Sequence, residues 1–287
     1  MELLFLAANT GNFCNQVLQL KDIYNYYYKV LPKIGFIYNM INKKPSLDEE
    51  GSQSELEKIE FFAPEKNIVF KNITFSYDGI TNVINDLSFE FLTNKINLLL
   101  GPNGSGKTTL IKLLLRLYKL PTNTKNKILL HGVDINQIDL ATLRNKITFV
   151  SQDSNIFNNT ILYNIKYGNE EVSDNKIITL SDFFCSRDWL IQNKNKLTGF
   201  RGKNISGGEK KKIQLINALC KNSEIIIFDE PTNTLDSKAI EWFKEFITKL
   251  KNEYLKTIII ITHDMRLVKI SDCVVSIGDV PSPPQHQ

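Results

Sequence analysis

The first 44 residues carry apolar and aromatic side chains at alternating steps of three and four positions, and a 3.5-residue period of this kind predicts one long helix with an apolar seam. Such a helix packs either on its own domain or in a bundle supplied by other segments or chains. Pro32 and Gly35 predict a kink or an interruption. The series is Leu3, Leu6, Phe13, Val17, Leu20, Tyr24, Tyr27, Leu31, Ile34, Tyr38 and Ile41, with Thr10 as its polar member.

The pattern changes after residue 44. Residues 45–66 are polar and acidic, which predicts a linker. Residues 67–278 then alternate β-rich apolar runs with helical segments, and this order predicts an α/β domain. The Pro-rich residues 279–287 predict a disordered tail.

Composition narrows the class of protein. The chain has 287 residues and a formal charge of +4, so charge gives no reason to expect a nucleic-acid partner. The four cysteines are scattered without a CxxC pair, which favours reduced thiols over a zinc site. No secretory signal pattern precedes residue 30, and the charge-free run of residues 3–20 is too polar to predict a membrane span.

A glycine-rich turn follows the apolar run of residues 96–100 and precedes a predicted helix over residues 108–118. Glycine lets backbone N–H groups approach phosphate, and the helix N-terminus favours an anion. Lys107 offers a charge to the β and γ phosphates, and Thr108 offers a hydroxyl to Mg²⁺. The residues expected to bind ATP here are Gly101, Pro102, Asn103, Gly104, Ser105, Gly106, Lys107, Thr108 and Thr109.

Two carboxylates follow a second apolar run, residues 225–228. Asp229 at a strand end is suited to hold Mg²⁺, directly or through water, and Glu230 is suited to orient and deprotonate an attacking water. Alone, this pattern also fits an ordinary strand followed by an acidic helix cap. The phosphate-binding loop upstream favours the catalytic interpretation.

A third segment, Ser206, Gly207 and Gly208, opens a predicted helix that runs to about Asn222. Its N-terminus is ready to bind an anion. Two phosphate-binding sites for one nucleotide suggest a site shared between two copies. The alternative is a simple capped helix, because Ser206 and Glu209 match a capping box.

Taken together, the motifs resemble those of the nucleotide-binding domain of ABC ATPases over about residues 66–275. The loop matches the Walker A motif, Asp229 and Glu230 match Walker B with its carboxylate, and residues 206–209 match the ABC signature. The resemblance implies a P-loop core with an antiparallel β subdomain and an α-helical signature subdomain. The other matching positions are Tyr77, Gln152, Asp236 and His263.

The resemblance also implies roles. Gln152 would sense Mg²⁺ and the γ-phosphate, His263 would contact the γ-phosphate, and Tyr77 would stack on adenine. Asp236, in the D-loop, would join Ser206, Gly207 and Gly208 in nucleotide binding. The implied catalytic set is Glu230, His263, Gln152 and Lys107, and the implied Mg²⁺ set is Thr108, Gln152 and Asp229.

Further segments look like the exporter pattern: residues 132–135, Leu143-Arg144, residues 150–165 and the X-loop at residues 199–202. The chain resembles the C-terminal part of a half-transporter, in which residues 1–44 correspond to the cytosolic end of a last transmembrane helix. Departures occur at Ile205 and Glu209 in the signature, at Asn233-Thr234 in the D-loop and at Phe200 in the X-loop. The last two put the coupling between sites and the transmembrane contact in doubt.

The expected function is ATP hydrolysis by a dimerising domain that powers export of an unspecified substrate. The expected partners are a second ABC domain, identical or related, and a transmembrane domain that is either supplied by another chain or missing by truncation. The expected location is the cytoplasmic face of a membrane. Two alternatives stay open: a non-transport ABC ATPase acting on ribosomes or DNA, and a truncated regulatory remnant.

Overall fold

The computed structural model describes residues 2–42, 67–120, 125–152, 155–183, 186–233 and 235–278, without the side chains of residues 2–15 and 39–42. The predicted linker at residues 45–66 and tail at residues 279–287 lie outside the described residues. The chain divides into two compact units, residues 1–53 and 54–287. Each unit is described by itself.

The first unit contains helix α1, Glu2–Asn42, which spans 41 residues. The helix continues through Pro32 and Gly35, so the predicted interruption is wrong, and the kink stays a prediction. A single proline removes only one backbone donor from the ladder, and many turns remain on each side. Within the described residues, no helix combines the length and hydropathy that a membrane span requires.

The side chains of α1 are exposed over most of residues 16–38. Exposed apolar residues lie on the predicted seam, such as Leu20 and Ile34, and also off it, such as Ile23 and Phe36. The 3.5-residue series therefore marks one of several apolar faces of the helix, not a single narrow seam.

The second unit alternates strands with helices. Its strands are β1 Ile68–Ser76, β2 Asn82–Phe91, β3 Ile96–Leu100, β4 Lys127–Leu130, β5 Val133–Asp134, β6 Ile147–Val150, β7 Ile225–Asp229, β8 Thr257–Thr262 and β9 Cys273–Ser276. Its helices are α2 Lys107–Leu114, α3 Leu140–Lys146, α4 Ile161–Lys166, α5 Asp174–Asp182, α6 Arg187–Asn193, α7 Gly207–Cys220 and α8 Ser237–Tyr254. Short 3₁₀ turns cover Ile135–Gln137, Phe200–Gly202 and Met265–Ile270.

Two sheets form the framework. Strands β2, β1, β4 and β5 form an antiparallel sheet in that order, which confirms the predicted antiparallel subdomain. Strands β6, β7, β8, β3 and β9 form a parallel sheet in that order. Each residue of β3 and β8 is buried, as expected for a parallel sheet covered on both faces.

The two faces of the parallel sheet bury separate apolar clusters. On β8, Ile258 and Ile260 belong to a cluster with α4, α5, α7 and α8. Ile259 and Ile261 alternate to the other face and join a cluster with α2 and the antiparallel sheet. Alternate residues of β8 therefore pack on opposite faces of the sheet, one against the helical subdomain and the other against the β subdomain.

Helix α2 ends earlier than the sequence predicts. Helix α2 ends at Leu114, not at residue 118, because Arg116 adopts a left-handed backbone with φ of 50°. Its guanidinium donates to Ile138 O at 2.7 Å, which holds the turn. Helix α7 ends at Cys220, close to the predicted end at about Asn222, and Asn222 likewise has a positive φ of 51°.

Replacing Phe243 with alanine should lower the stability of the second unit by about 3 to 5 kcal/mol, because a large buried ring is lost and a cavity is left. Phe243 is fully buried and its ring lies 5.4 Å from that of Phe228. Urea unfolding of the full chain measures the effect. Phe200→Ala is the control, because Phe200 is 64% exposed; equal losses for the two variants would contradict this packing.

Candidate functional site

The loop between β3 and α2 needs glycine at defined points. A Cβ on Gly101 would lie 2.6 Å from Ser105 Oγ and 2.7 Å from Ile277 O, so no larger residue fits. Gly106 has φ of 88° and caps α2, and a Cβ there would lie 3.1 Å from the Ile84 side chain. Sterics at both positions therefore keep the loop tight against the end of the sheet.

Lys107 is the first residue of α2, and its side chain is buried within the loop. Its Nζ donates to Gly101 O at 2.7 Å and to Pro102 O at 2.8 Å. Burial lowers the pKa of this amine, and attraction to Glu230 and Asp229 opposes the shift. The two loop carbonyls thus hold the ammonium at the centre of the loop. A bound phosphate would contact the N–H groups of the same loop.

Thr108 and Asp229 come together from two separate elements. Thr108 Oγ1 lies 3.4 Å from Asp229 Oδ2, at the distant end of hydrogen-bond range. Burial and repulsion from Glu230 raise the pKa of Asp229, while Thr108 and Lys107 lower it. A hydroxyl and a half-buried carboxylate at this spacing fit the oxygen ligands of Mg²⁺, which takes one or two protein carboxylates together with substrate phosphates.

Glu230 follows β7 and has a left-handed backbone, with φ of 46°. Its N–H donates to Ile261 O at 2.9 Å. A residue with a side chain is rare in this region, and such strain is typical of functional sites. The turn directs the carboxylate toward the end of β8 instead of letting it cap a helix.

The Glu230 carboxylate is only 9% exposed. His263, the residue after β8, places Nδ1 3.1 Å from both carboxylate oxygens of Glu230, of which Oε1 has hydrogen-bond geometry. An ionised carboxylate can only accept, so in that state the donor would be an N–H at Nδ1. Within the described residues, Glu230 Oε2 and Ser105 Oγ are buried without a hydrogen-bond partner. Buried oxygens of this kind are rare in folded proteins and point to an external partner.

Tyr77 lies beside the loop, and its implied stacking on adenine stays a prediction. Its hydroxyl is 2.9 Å from Thr109 Oγ1. The ring is 48% exposed and makes edge contacts with Phe75 and Tyr118 at 5.0 and 4.9 Å. One face of an aromatic ring is thus available close to the start of α2.

Gln152 lies in an exposed turn two residues beyond β6, which pairs with β7. It makes no hydrogen bond with the phosphate-binding loop among the described residues. A residue that the motifs missed joins this turn to α7: Gln214 Nε2 donates to Ser151 O at 2.8 Å. The link bridges 63 positions of sequence, and no local pattern predicts it.

The capping-box interpretation of the signature is confirmed. Ser206 Oγ accepts from Glu209 N, and Glu209 Oε2 accepts from Ser206 N. Gly207 and Gly208 are nevertheless exposed, and a Cβ at either would meet nothing within 4 Å. The unit itself does not require glycine there, so the anion-binding interpretation stays open beside the cap.

Asp236 serves a structural purpose in this conformation. It is the N-cap of α8, and its Oδ1 accepts from Ala239 N at 2.8 Å. The nucleotide contact implied by the resemblance stays a prediction. Among the described residues, no group of three or more His, Cys, Asp or Glu side chains has the arrangement of a metal site.

With this geometry in place, comparison with known proteins gives a direct result. The profile of the family described as "ABC transporter" matches residues 84–233, just over half of the chain. The chain belongs to the ABC transporter family. Its members hydrolyse ATP, so the loop, the two carboxylates and the histidine lie in an ABC-type ATPase that binds nucleotide.

Relatives of this ABC ATPase include exporters. It is 34% identical over 225 residues to "Iron-sulfur clusters transporter ATM1, mitochondrial" of Candida glabrata, covering 77% of this chain and 30% of that protein. It is 29% identical over 263 residues to "Beta-(1-->2)glucan export ATP-binding/permease protein NdvA" of Agrobacterium vitis, covering 90% and 43% respectively.

A solved structure agrees with these relatives. The ABC ATPase is similar to a chain described as "Structure of a bacterial Atm1-family ABC exporter with ATP bound", with a TM-score of 0.69 and 30% identity. The match covers 75% of this chain and 37% of that one. The predicted fold class is confirmed. The chain spans about a third of the length of the first relatives it matches.

Replacing Gly106 with alanine should weaken nucleotide binding by about tenfold or more, because a left-handed backbone and the contact with Ile84 would both displace the loop. Titration with a fluorescent ATP analogue measures the affinity. Gly168→Ala is a matched control, since Gly168 also has a positive φ, 75°, but no atom within 4 Å of the added Cβ. If Gly106→Ala binds as tightly as the parent, the loop assignment is wrong.

Proposed function

We propose that this chain is the ATP-hydrolysing part of an exporter that works through two paired ATPase units. The observation that carries the proposal is the convergence at one sheet edge of Lys107, Thr108, Asp229, Glu230 and His263, which come from three different strand ends. The relatives named for transport and export support the choice of exporter.

Lys107 and the loop N–H groups bind the phosphates of ATP, and Tyr77 offers its exposed ring to adenine. Thr108, Asp229 and Gln152 are the residues that would hold Mg²⁺. The ion, when bound, neutralises charge on the phosphate oxygens and orients them for in-line attack. Thr108 Oγ1 and Asp229 Oδ2 lie 3.4 Å apart, which supports their acting on one ion.

Glu230 orients the attacking water and accepts its proton. Its Oε2 is buried and makes no hydrogen bond with the described residues, although it lies 3.1 Å from His263 Nδ1, so it is the oxygen that can take up that proton. His263 holds the other oxygen through Nδ1 and fixes the direction of the carboxylate. The His263 side chain is 58% exposed, which leaves part of the ring accessible for a γ-phosphate contact.

The second copy completes the site. Ser206, Gly207 and Gly208 lie at the start of a 14-residue helix, where N–H groups and the helix dipole favour phosphate. The open space at both glycines leaves room for close approach by a nucleotide held on the other copy. Asp236, at the D-loop, would lie near the same junction. The second copy is either an identical chain or a closely related ABC domain.

Export requires a membrane-spanning region. We infer that it is supplied by another chain or by a further segment, and that this unit acts at the cytoplasmic face of the membrane. Helix α1 precedes the ATPase unit in the sequence, where a segment leading from such a region would enter, and its exposed apolar faces support packing against other helices. The transported substrate contacts the membrane region, so this chain does not define it.

Glu230→Gln should lower the rate of ATP hydrolysis by about 10² to 10⁴-fold and leave ATP binding intact, because the proton acceptor is lost but the loop is not. Lys107→Ala should instead weaken ATP binding itself. Phosphate release and nucleotide titration measure the two effects. Glu245→Gln, on the exposed face of α8, is the control. Near-normal turnover in Glu230→Gln would refute the assigned roles.

A further inference from the structure

Glu209 makes two directed hydrogen bonds in the first turn of α7. Its Oε2 accepts from the backbone N–H of Ser206 at 2.7 Å, which belongs to the capping box. Its Oε1 accepts from the indole Nε1–H of Trp189 at 3.0 Å. Lys196 Nζ lies 3.7 Å from the same Oε1. Each carboxylate oxygen therefore has its own N–H donor.

This arrangement requires a carboxylate. An ionised carboxylate accepts at both oxygens, whereas the amide of glutamine accepts at one atom and donates at the other. A glutamine at 209 would bond one of the two donors and turn its NH₂ group against the other. Trp189 is thus the partner that explains a glutamate at this position of the signature.

Glu209 is ionised in this setting. Burial raises its pKa, but the hydrogen bonds from Ser206 and Trp189 and the charge of Lys196 outweigh burial, and the net pKa is lowered. The contribution of the pair to stability is present above the unfolded pKa and is lost as pH falls through the folded pKa.

Trp189 is itself anchored. It lies in α6 and packs against the apolar cluster of the helical subdomain. Asn193 Nδ2 donates to its carbonyl at 2.8 Å, and Lys212 Nζ lies 5.5 Å from the ring centroid. Because α6 holds the indole, the hydrogen bond to Glu209 transmits the position of α6 to the first turn of α7.

We propose that Glu209 and Trp189 form a positioning pair that fixes the N-terminus of α7, and with it Ser206, Gly207 and Gly208, for the nucleotide bound on the second copy. The proposal rests on the proposed function of the signature as the part of the site contributed in trans. In this proposal α6, through Trp189, contributes to the ATP-dependent pairing of two copies.

The test uses the full chain with Glu230→Gln, so that ATP-bound pairs accumulate, and measures dimerisation by sedimentation as ATP is added. Glu209→Gln should weaken ATP-dependent dimerisation by about tenfold, the loss expected for one hydrogen bond to a charged group. ATP affinity of the single unit should be unchanged, because the loop is untouched. Glu245→Gln is the matched charge control.

Trp189→Phe decides whether the two residues act as a pair. Without the indole N–H, the amide oxygen of glutamine can serve Ser206 alone, so the effect of Glu209→Gln should fall to about twofold or less in that background. An equal tenfold effect in both backgrounds, or no effect of Glu209→Gln in either, would overturn the proposal. Trp242→Phe controls for loss of a tryptophan.

If the parent chain does not dimerise with ATP, the shared site is refuted but the Glu209–Trp189 pair is not. Amide hydrogen exchange then tests that pair in the single chain. Exchange at Ser206 and in the first turn of α7 should accelerate by about tenfold in Glu209→Gln, and the acceleration should vanish in the Trp189→Phe background. Unchanged exchange in Glu209→Gln would overturn the positioning pair independently.

Discussion

The whole site depends on strand β8, which lies between β3 and β7 with the three carboxyl ends level. Leu100 pairs with Thr262, and Asp229 pairs with Ile261. Because the strands are parallel and in register, the phosphate-binding loop, the two carboxylates and the histidine leave the sheet at one edge. Burial of both faces of β8 fixes that register, since a one-residue slip would exchange its two sets of core contacts.

Electrostatics at this edge oppose the stability of the unit without ligand. Burial and the adjacent Glu230 raise the pKa of the half-buried Asp229, and Thr108, Lys107 and Lys112 oppose that shift. Glu230 adds a strained backbone. Proteins retain such unfavourable features where a ligand resolves them, and a cation with a polyphosphate would do so here.

Local patterns predicted much of this fold. The glycine-rich turn after a buried strand predicted the loop, and the carboxylates after residues 225–228 predicted the second element. What the sequence did not predict depends on contacts between distant segments. The left-handed turn at Glu230 depends on Ile261, the early end of α2 depends on carbonyls near Ile138, and the role of Glu209 depends on Trp189, twenty positions away. Helix α1 shows the converse case. Proline is a strong local signal for the end of a helix, yet the helix continues through Pro32 because many turns remain on each side.

The central claim is that each site combines the loop of one copy with the signature of another, and mixing two inactive variants tests it most directly. Lys107→Ala damages the loop and keeps the signature, whereas Gly208→Asp keeps the loop and places a carboxylate where the partner's γ-phosphate would bind. Each variant alone should be nearly inactive. An equal mixture should recover roughly a quarter of parental ATP hydrolysis, since half of the pairs are mixed and each holds one intact site of two. Full activity of Gly208→Asp by itself, or a mixture no more active than its components, would contradict the shared site.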